Sequence, residues 1–323
     1  MSKPVVLMLA PMNRVVMHGC VERFELVRLW EAEDPDAVLA ARGSEVRAIA
    51  FSGPDPLNAA LMDKLPHLEI VANFGVGYDM VDAQEAARRG VMVTNGAGSL
   101  DDEVADTAMG LLIMTVRELS QAERHLRNGR WPQGAYPLTP MTLSGRRMGI
   151  LGMGRIGEAI ARRASTFGLT VGYHNRRRKD SPYRYYPTLL EMARDVDTLI
   201  LITPGGPSTR HLVNAEVLDA LGPRGIVINM SRGTVVDDAA LIKALKERKI
   251  HAAGLDVFVN EPEVPKEYLE LDNVVLFPYL GSSTVYTRQK MEQLVVDNLL
   301  AWAAGNPPIT PVPETPWPPK KKA

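Results

Sequence analysis

The sequence has 323 residues, of which 46% are hydrophobic and 23% are charged, and its formal net charge is −1. This ordinary globular composition is long enough for two hydrophobic cores. A balanced charge gives no reason to expect a nucleic-acid partner, so Lys320 to Lys322 are interpreted as an extended or frayed end. One cysteine, Cys20, excludes an internal disulfide bond, and the apolar run Val5 to Ala10 is too short to span a membrane. We therefore expect a cytoplasmic protein that contacts no membrane.

Short apolar runs alternate with helical patterns in the first part of the chain, which indicates a parallel sheet. The predicted strands are Val5 to Leu9, Val46 to Phe51, Glu69 to Ala72 and Met92 to Thr94, and the predicted helices are Asn58 to Leu65 and Val81 to Arg89. Residues 73–79 (NFGVGYD) form a glycine-containing turn directly after a strand. Such a turn either presents backbone N–H groups to an anion or simply joins a strand to a helix.

Residues 101–127 have the pattern of one long helix, with acidic residues in its first turn and Arg124 and Arg127 near its end. Residues 128–140 follow as a loop rich in glycine and proline, the first candidate domain boundary. The alternation then resumes. The later predicted strands are Arg147 to Leu151, Thr170 to His174, Thr198 to Ile202, Gly225 to Asn229, His251 to Asp256 and Val274 to Phe277. The later predicted helices are Glu158 to Phe167, Asn214 to Ala220, Asp237 to Glu247 and Thr284 to Ala303, with a further helix capped at Thr188.

A glycine-rich turn, residues 152–157 (GMGRIG), connects a predicted strand to a predicted helix. Gly152 permits a tight turn, Gly154 lets a pyrophosphate approach the backbone, and Gly157 lets the helix pack closely on the strand. Free N–H groups at the helix start then face the phosphates. The predicted dinucleotide-binding residues are therefore Gly152, Gly154, Arg155, Ile156 and Gly157. For the six residues alone, a turn in an unrelated α/β protein is an equal alternative, and the flanking strands and helix favour the dinucleotide site.

The end of the next predicted strand indicates which dinucleotide is bound. Sites for NAD usually have an acidic residue there, which binds the ribose 2′-hydroxyl. Here the strand runs into His174, Asn175, Arg176 and Arg177. Because guanidinium groups bind phosphate through paired hydrogen bonds, this segment favours the 2′-phosphate of NADP(H), with NAD(H) left open. The alternative interpretation is a solvated basic loop.

Three later segments resemble the signature blocks of the D-isomer-specific 2-hydroxyacid dehydrogenases. They are residues 229–237 (NMSRGTVVD), 254–262 (GLDVFVNEP) and 277–284 (FPYLGSST). Residues 152–157 and 76–79 precede them in the order that the family has, so the resemblance covers nearly the whole chain. Within the family, the sequence is most similar to the NADPH-dependent glyoxylate and hydroxypyruvate reductases, on the evidence of residues 131–132 (WP), 174–177 (HNRR) and 311–314 (PVPE).

The resemblance implies an α/β protein with two Rossmann-like parallel-sheet domains and a cleft between them. Residues 1–98, completed by 287–323, would form a flavodoxin-like substrate domain, and residues 99–286 would form the dinucleotide-binding domain. It further implies a homodimer, formed through the cofactor domain, in which the helix from Asp101 and the loop around Trp131 reach the partner.

The resemblance also implies roles for individual residues. Arg232 would clamp the substrate carboxylate and keto oxygen, while the backbone of Val76 and Gly77 would hold the other side of that carboxylate. Glu261 would orient a histidine that passes a proton to the carbonyl oxygen. The remaining cofactor contacts implied by the family are Thr203, Pro204, Met230, Ser231, Arg232, Asp256 and Gly281. No metal ligand is predicted.

The histidine of the family is missing, because Tyr279 stands where the family has it. Histidine titrates at about pH 6.5, whereas a free tyrosine titrates at about pH 10. Tyr279 therefore donates the proton itself, alters the chemistry, leaves a protein that binds cofactor without turnover, or was introduced deliberately. The leading hypothesis is NADPH-dependent reduction of a small 2-keto acid, such as glyoxylate or hydroxypyruvate, to the D-2-hydroxy acid. The alternatives are a dinucleotide-binding sensor or assembly protein of weak or no activity, and a family member with another substrate.

Overall fold

The computed structural model describes residues 3–53 and 55–318, so the Lys320 to Lys322 segment lies outside the described residues. The chain divides into two compact units. The first comprises the described parts of Met1–Leu100 and Thr284–Ala323, and the second is Asp101–Ser283. Within the described ranges, no helix is both long enough and apolar enough to cross a bilayer.

The first unit contains a parallel sheet with strand order β2-β1-β3-β4-β5, which is the flavodoxin-like order. Its strands are β1 (Val5–Met8), β2 (Glu25–Arg28), β3 (Val46–Phe51), β4 (Ile70–Asn73) and β5 (Met92–Thr94), and its first helices are α1 (Arg14–Val21), α2 (Pro35–Arg42), α3 (Ala59–Asp63) and α4 (Ala83–Arg88). Successive side chains of β1 enter two different cores: Val5 and Leu7 enter one, while Val6 and Met8 enter the other. Helices therefore cover both faces of this sheet, which explains its continuous apolar strands.

The second unit contains a parallel sheet with strand order β12-β11-β10-β9-β6-β7-β8. Its strands are β6 (Arg147–Leu151), β7 (Thr170–His174), β8 (Arg184–Tyr185), β9 (Thr198–Leu201), β10 (Ile226–Asn229), β11 (Ala252–Leu255) and β12 (Val274–Leu276), and its helices are α5 (Asp101–Val116), α6 (Leu119–Arg127), α7 (Arg155–Thr166), α8 (Leu189–Asp195), α9 (Ala215–Leu221), α10 (Asp238–Lys246) and α11 (Lys266–Glu270). The chain forms β6, β7 and β8 in order toward one edge of the sheet. It then forms β9 on the other side of β6 and continues to β12 at the opposite edge. Open α/β sheets bind ligands at such a reversal, outside the carboxyl ends of the strands.

The prediction of one continuous helix over residues 101–127 is wrong. The helix is interrupted between α5 and α6, where Glu118 adopts the left-handed conformation with φ = 51°. Two bonds to the following loop hold this break: Tyr136 Oη donates to the Glu118 carboxylate at 2.9 Å, and Arg117 Nε donates to Thr139 Oγ1 at 3.2 Å. The interruption arises from tertiary contacts, which a helical pattern does not reveal.

The last helix, α12 (Val285–Ala303), belongs to the first unit and packs on its sheet. Thr284 caps it by accepting a hydrogen bond from the Thr287 N–H at 3.1 Å. The chain that follows is also packed: Val312 is 2% exposed and enters the core, and its N–H donates to Val93 O at 2.9 Å. The end of the chain therefore completes the first unit through residue 318.

Candidate dinucleotide site and active site

The three glycines of residues 152–157 meet different local constraints. Gly152 has φ = 110°, and a Cβ atom there would lie 2.7 Å from Ile202 O. A Cβ on Gly157 would lie 2.4 Å from Gly152 O, so α7 can approach the strand only with glycine at this position. A Cβ on Gly154 would meet no described atom within 4 Å. Space is therefore left beside Gly154, where a bound group can approach the backbone.

The N-terminus of α7 directly follows this loop. Gly154 is its N-cap residue, and no side chain among the described residues caps the helix. Arg155 lies on the surface and forms an ion pair with Asp101 at 2.7 Å. Unsatisfied N–H groups and the positive end of the helix dipole make this terminus suited to phosphate.

Asn175 shapes the same loop from the end of β7. Its Oδ1 accepts a hydrogen bond from the Met153 N–H at 2.7 Å, and its Nδ2 donates to Met153 O at 3.2 Å, so its amide is engaged with the loop backbone. The following Arg176 and Arg177 are exposed, and neither forms an ion pair with any residue in the described ranges. Two unpaired guanidinium groups beside the loop fit a 2′-phosphate.

Thr203 follows β9, next to the glycine loop. Its Oγ1 is buried and has no hydrogen-bond partner among the described residues. A buried hydroxyl without a partner costs free energy, which a polar ligand at this place would offset. The space at Gly154, the free guanidinium groups and this hydroxyl all fit a bound dinucleotide phosphate.

The segment after β10 holds Arg232 in a fixed turn. The Asn229 side chain forms the turn: its Oδ1 accepts from the Ser231 N–H at 3.0 Å and from Ser231 Oγ at 2.6 Å, and its Nδ2 donates to Arg232 O at 3.1 Å. A Cβ on the next residue, Gly233, would lie 2.1 Å from the carbonyl carbon of Phe258. Glycine therefore allows the Arg232 turn to pack against the backbone that follows β11.

The segment after β11 carries Glu261. Its Oε1 accepts a hydrogen bond from the Phe258 N–H at 2.8 Å, and the residue is exposed. Because Phe258 also contacts Gly233, the Arg232 and Glu261 segments meet at this residue. The structure therefore brings these two predicted site residues to neighbouring positions in the second unit.

Asp256 binds the backbone around Tyr279. Its carbonyl oxygen accepts from the Tyr279 N–H at 3.0 Å, and its carboxylate accepts from the Leu280 N–H at 2.5 Å and the Gly281 N–H at 3.0 Å. Asp256 is 4% exposed. Burial raises the pKa of this carboxyl, the two N–H donors oppose that rise, and the charge of Glu261 adds to it. The predicted cofactor residues Asp256 and Gly281 are thus in direct contact.

Tyr279 is half-exposed in a left-handed backbone conformation. Its φ is 55° and its relative exposure is 39%. Its carbonyl oxygen accepts a hydrogen bond from Ser283 Oγ at 3.0 Å. The backbone of Tyr279 is therefore bound on both sides, while the ring remains accessible.

In the first unit, two side-chain amides donate hydrogen bonds to the carbonyl groups of the turn after β4. Asn73 Nδ2 donates to Gly75 O at 2.7 Å and to Gly77 O at 3.1 Å, and Asn95 Nδ2 donates to Val76 O at 2.8 Å. Among the described residues, no acceptor binds the N–H of Val76 or Gly77. These two N–H groups are therefore available to an anion.

Sequence reasoning missed Asn73 and Asn95 as supports of this turn. Asn73 is 6% exposed at the carboxyl end of β4, and Asn95 directly follows β5. An asparagine at the end of a buried strand was the available signal, because a buried amide needs hydrogen-bond partners. Within the described ranges, no group of three His, Cys, Asp or Glu residues is arranged to hold a metal ion.

Comparisons with known proteins identify relatives of this chain. Residues 109–281 match the model of the D-isomer specific 2-hydroxyacid dehydrogenase, NAD binding domain. The chain is 42% identical over 308 residues to a glyoxylate/hydroxypyruvate reductase A of Arabidopsis thaliana, covering 95% of this chain and 98% of that protein. A hydroxyphenylpyruvate reductase of Plectranthus scutellarioides is 43% identical over 308 residues, with coverage of 95% and 98%.

A solved structure is also similar over nearly the whole chain. It is an NADPH-dependent glyoxylate/hydroxypyruvate reductase from Sinorhizobium meliloti in complex with NADP and malonate. The sequence identity is 51%, the TM-score is 0.91, and the match covers 98% of each chain. The prediction of a two-sheet α/β fold is confirmed by this likeness.

The two glycines Gly154 and Gly157 provide a test of the dinucleotide loop. Gly157→Ala should destabilise the protein by about 1–3 kcal/mol, because its Cβ overlaps backbone. Gly154→Ala should leave stability nearly unchanged and weaken NADPH binding, because its Cβ fills only the space left for the ligand. Thermal unfolding and NADPH titration of both variants measure the two effects. Full NADPH affinity in a folded Gly154→Ala variant would remove this loop from the cofactor site.

Proposed function

The chain belongs to the D-isomer-specific 2-hydroxyacid dehydrogenase family, and we propose that it reduces a small 2-keto acid of the glyoxylate or hydroxypyruvate type to the D-2-hydroxy acid with NADPH. The observation that carries this proposal is the Arg232 turn, which packs against the Glu261 segment in the same unit as the glycine loop. A charged group fixed in this way suits an anionic substrate. The named activities of the similar proteins support the same reaction.

We assign the substrate carboxylate and keto oxygen to Arg232. A guanidinium group stays charged at any relevant pH and offers a planar pair of donors to two oxygens. In the first unit, the N–H groups of Val76 and Gly77 are assigned to the binding of a carboxylate. A reduced nicotinamide, when bound, would be the source of the hydride for the keto carbon. Met230, Ser231, Pro204 and Thr203 are assigned to the walls of the cofactor site.

Tyr279 is assigned as the proton donor to the carbonyl oxygen. A phenol hydroxyl can give its proton to the developing oxygen as the hydride arrives at the keto carbon. Arg232 lowers the cost of negative charge on the developing oxygen. Glu261 holds the Phe258 backbone through its Oε1 and adds negative charge to this region. The reverse reaction needs a base, and a tyrosine serves as one only in alkaline solution.

Preference for NADPH over NADH is assigned to Arg176 and Arg177, with NAD(H) as the weaker coenzyme. The Arg176→Ala/Arg177→Ala variant should lose NADPH affinity by about tenfold or more, because two charge-assisted contacts to phosphate are removed. NADH affinity should change little. Dissociation constants for both coenzymes measure this, with Arg162→Ala, an exposed change on α7, as the control. Equal losses for NADPH and NADH would contradict the assignment.

Turnover tests the proposed reaction directly. The protein should oxidise NADPH in the presence of glyoxylate or hydroxypyruvate, and not in their absence. Arg232→Ala should lower kcat/KM by about 3 kcal/mol of transition-state stabilisation, while NADPH affinity is kept. Steady-state rates measure kcat/KM, and a coenzyme titration measures the NADPH affinity. An unchanged kcat/KM in the variant would exclude Arg232 from the substrate site.

Changes at Tyr279 test the proton donor. Tyr279→Phe should depress keto-acid reduction, because the donated proton is removed, whereas Tyr279→His should raise reduction and bring oxidation of the hydroxy acid toward neutral pH. Rate profiles against pH for the parent and both variants measure these changes. The NADPH dissociation constant, which should not change, is the control. If Tyr279→Phe reduces keto acids as fast as the parent, the hydroxyl is not the donor.

A homodimer formed through the second unit is part of the same proposal. Leu119 and Leu126, which are seven residues apart on α6, are 43% and 56% exposed, and Trp131 in the following loop is 63% exposed. Exposed large apolar side chains favour a contact with another protein surface. Sedimentation should give twice the mass of the chain, and Leu126→Glu should lower that mass. A monomer at micromolar protein concentration would contradict the dimer. We also infer a cytoplasmic location, which the single buried thiol Cys20 supports.

A further inference from the structure

The segment after β7, residues 175–179, carries the guanidinium groups that are assigned to the coenzyme. Arg176, Arg177 and Arg178 are exposed, and no ion pair joins them to a residue that the structure describes. An exposed segment samples several conformations unless its backbone is bound. The backbone contacts of this segment, which we call the basic segment, therefore decide whether its side chains are in place before a ligand arrives.

Tyr173 binds the far end of the basic segment through its hydroxyl. Its Oη donates to Lys179 O at 3.0 Å and accepts from the Lys179 N–H at 3.0 Å, so one hydroxyl binds both backbone groups of that residue. Tyr173 lies in β7 and is 0% exposed, so the core fixes its ring. Lys179 Nζ also lies 3.6 Å from a carboxylate oxygen of Glu158 on α7. The far end of the segment is thereby attached to the strand from which the segment starts.

Tyr185, in the edge strand β8, binds the near end of the basic segment. Its Oη donates to Asn175 O at 3.2 Å. Tyr173 and Tyr185 are register partners on β7 and β8, and their ring centroids are 5.4 Å apart. Two neighbouring tyrosines therefore bind the two ends of the same segment.

The strand β8 is itself anchored, although it has only two residues. Asp195, at the end of α8, accepts a hydrogen bond from Arg184 Nη1 at 2.8 Å and another from Tyr186 Oη. A Cβ on Gly172 would lie 2.5 Å from a carbon of the Tyr186 ring, so glycine in β7 lets this ring pack against the strand. These contacts fix the strand that carries Tyr185.

We propose that Tyr173 and Tyr185 are positioning residues for the coenzyme: their hydroxyls hold the basic segment in the conformation that receives a 2′-phosphate. They act through Arg176 and Arg177, and the inference rests on the assignment of these two arginines to the phosphate. A side chain whose backbone is already ordered loses less conformational entropy when it binds. NADH has no 2′-phosphate, so its binding does not depend on this order.

Phenylalanine substitutions test the two hydroxyls and keep the rings. Tyr173→Phe and Tyr185→Phe should each weaken NADPH binding by about fivefold, because one or two hydrogen bonds to the segment are lost. NADH affinity should be unchanged, which also shows that the variants are folded. Tyr183→Phe is the matched control, because no described residue binds the Tyr183 hydroxyl. Calorimetric titration gives both affinities, and an unchanged ratio of NADPH to NADH affinity in both variants overturns the proposal.

Limited digestion with trypsin measures the order of the basic segment without a coenzyme. Trypsin cleaves after arginine and lysine, and it requires a segment that opens locally. Cleavage after residues 176–179, located by mass spectrometry, should be about fivefold faster in Tyr173→Phe than in the parent, because the segment opens more often. Tyr183→Phe should match the parent. Equal cleavage rates in Tyr173→Phe and the parent overturn the proposal.

A combined variant separates this inference from the coenzyme assignment. In the Arg176→Ala/Arg177→Ala background, Tyr173→Phe should cause no further loss of NADPH affinity, because the groups that it positions are absent. A further loss as large as that in the parent overturns the inference and leaves the assignment standing. If Arg176→Ala/Arg177→Ala itself binds NADPH as tightly as the parent, the assignment fails and the inference fails with it.

Discussion

The backbone that carries Tyr279 depends on one buried carboxylate. Asp256 accepts hydrogen bonds from three consecutive N–H groups, one through its carbonyl oxygen and two through its side chain. Each such bond contributes about 0.5–1.5 kcal/mol to stability, so the three together hold this backbone in place. Asp256 itself is fixed because its N–H donates to Asn229 O at the end of the neighbouring strand, the same residue whose side chain forms the Arg232 turn. The adjacent ends of β10 and β11 therefore position the segments that carry the Arg232 guanidinium group and the Tyr279 phenol.

Much of the fold follows from the sequence because buried parallel strands are continuous apolar runs. The predicted bounds of β3, β5, β6 and β7 match the structure. The edge strand β2 was not predicted, since only Val27 of its four residues is buried and the run carries Glu25 and Arg28. The short helices α1 and α2 were also not predicted, because each buries only one or two residues and has a weak helical pattern.

Residues of the candidate site could be predicted where the local geometry requires one residue type. The tight turn at Gly152 and the close packing at Gly157 follow from the absence of a side chain, and the structure shows the atoms that require it. The assignment of Asn175 as a cofactor residue stays a prediction, and its contact with the Met153 backbone was not foreseen from the sequence. The break between α5 and α6 could not be predicted, because the left-handed Glu118 accepts a hydrogen bond from Tyr136, which is distant in sequence.

The left-handed backbone at Tyr279 also limits how this position can vary. Positions with φ near 55° accept asparagine, aspartate and histidine more readily than other residue types, and β-branched residues are rare there. Valine, isoleucine and threonine are therefore disfavoured here for conformational reasons, whatever their chemistry. A threonine hydroxyl is not an accessible substitute for the phenol, although it too carries a proton. The shape of the main chain thus selects which amino acids can supply a reactive group at this point of the fold, before any demand of catalysis applies.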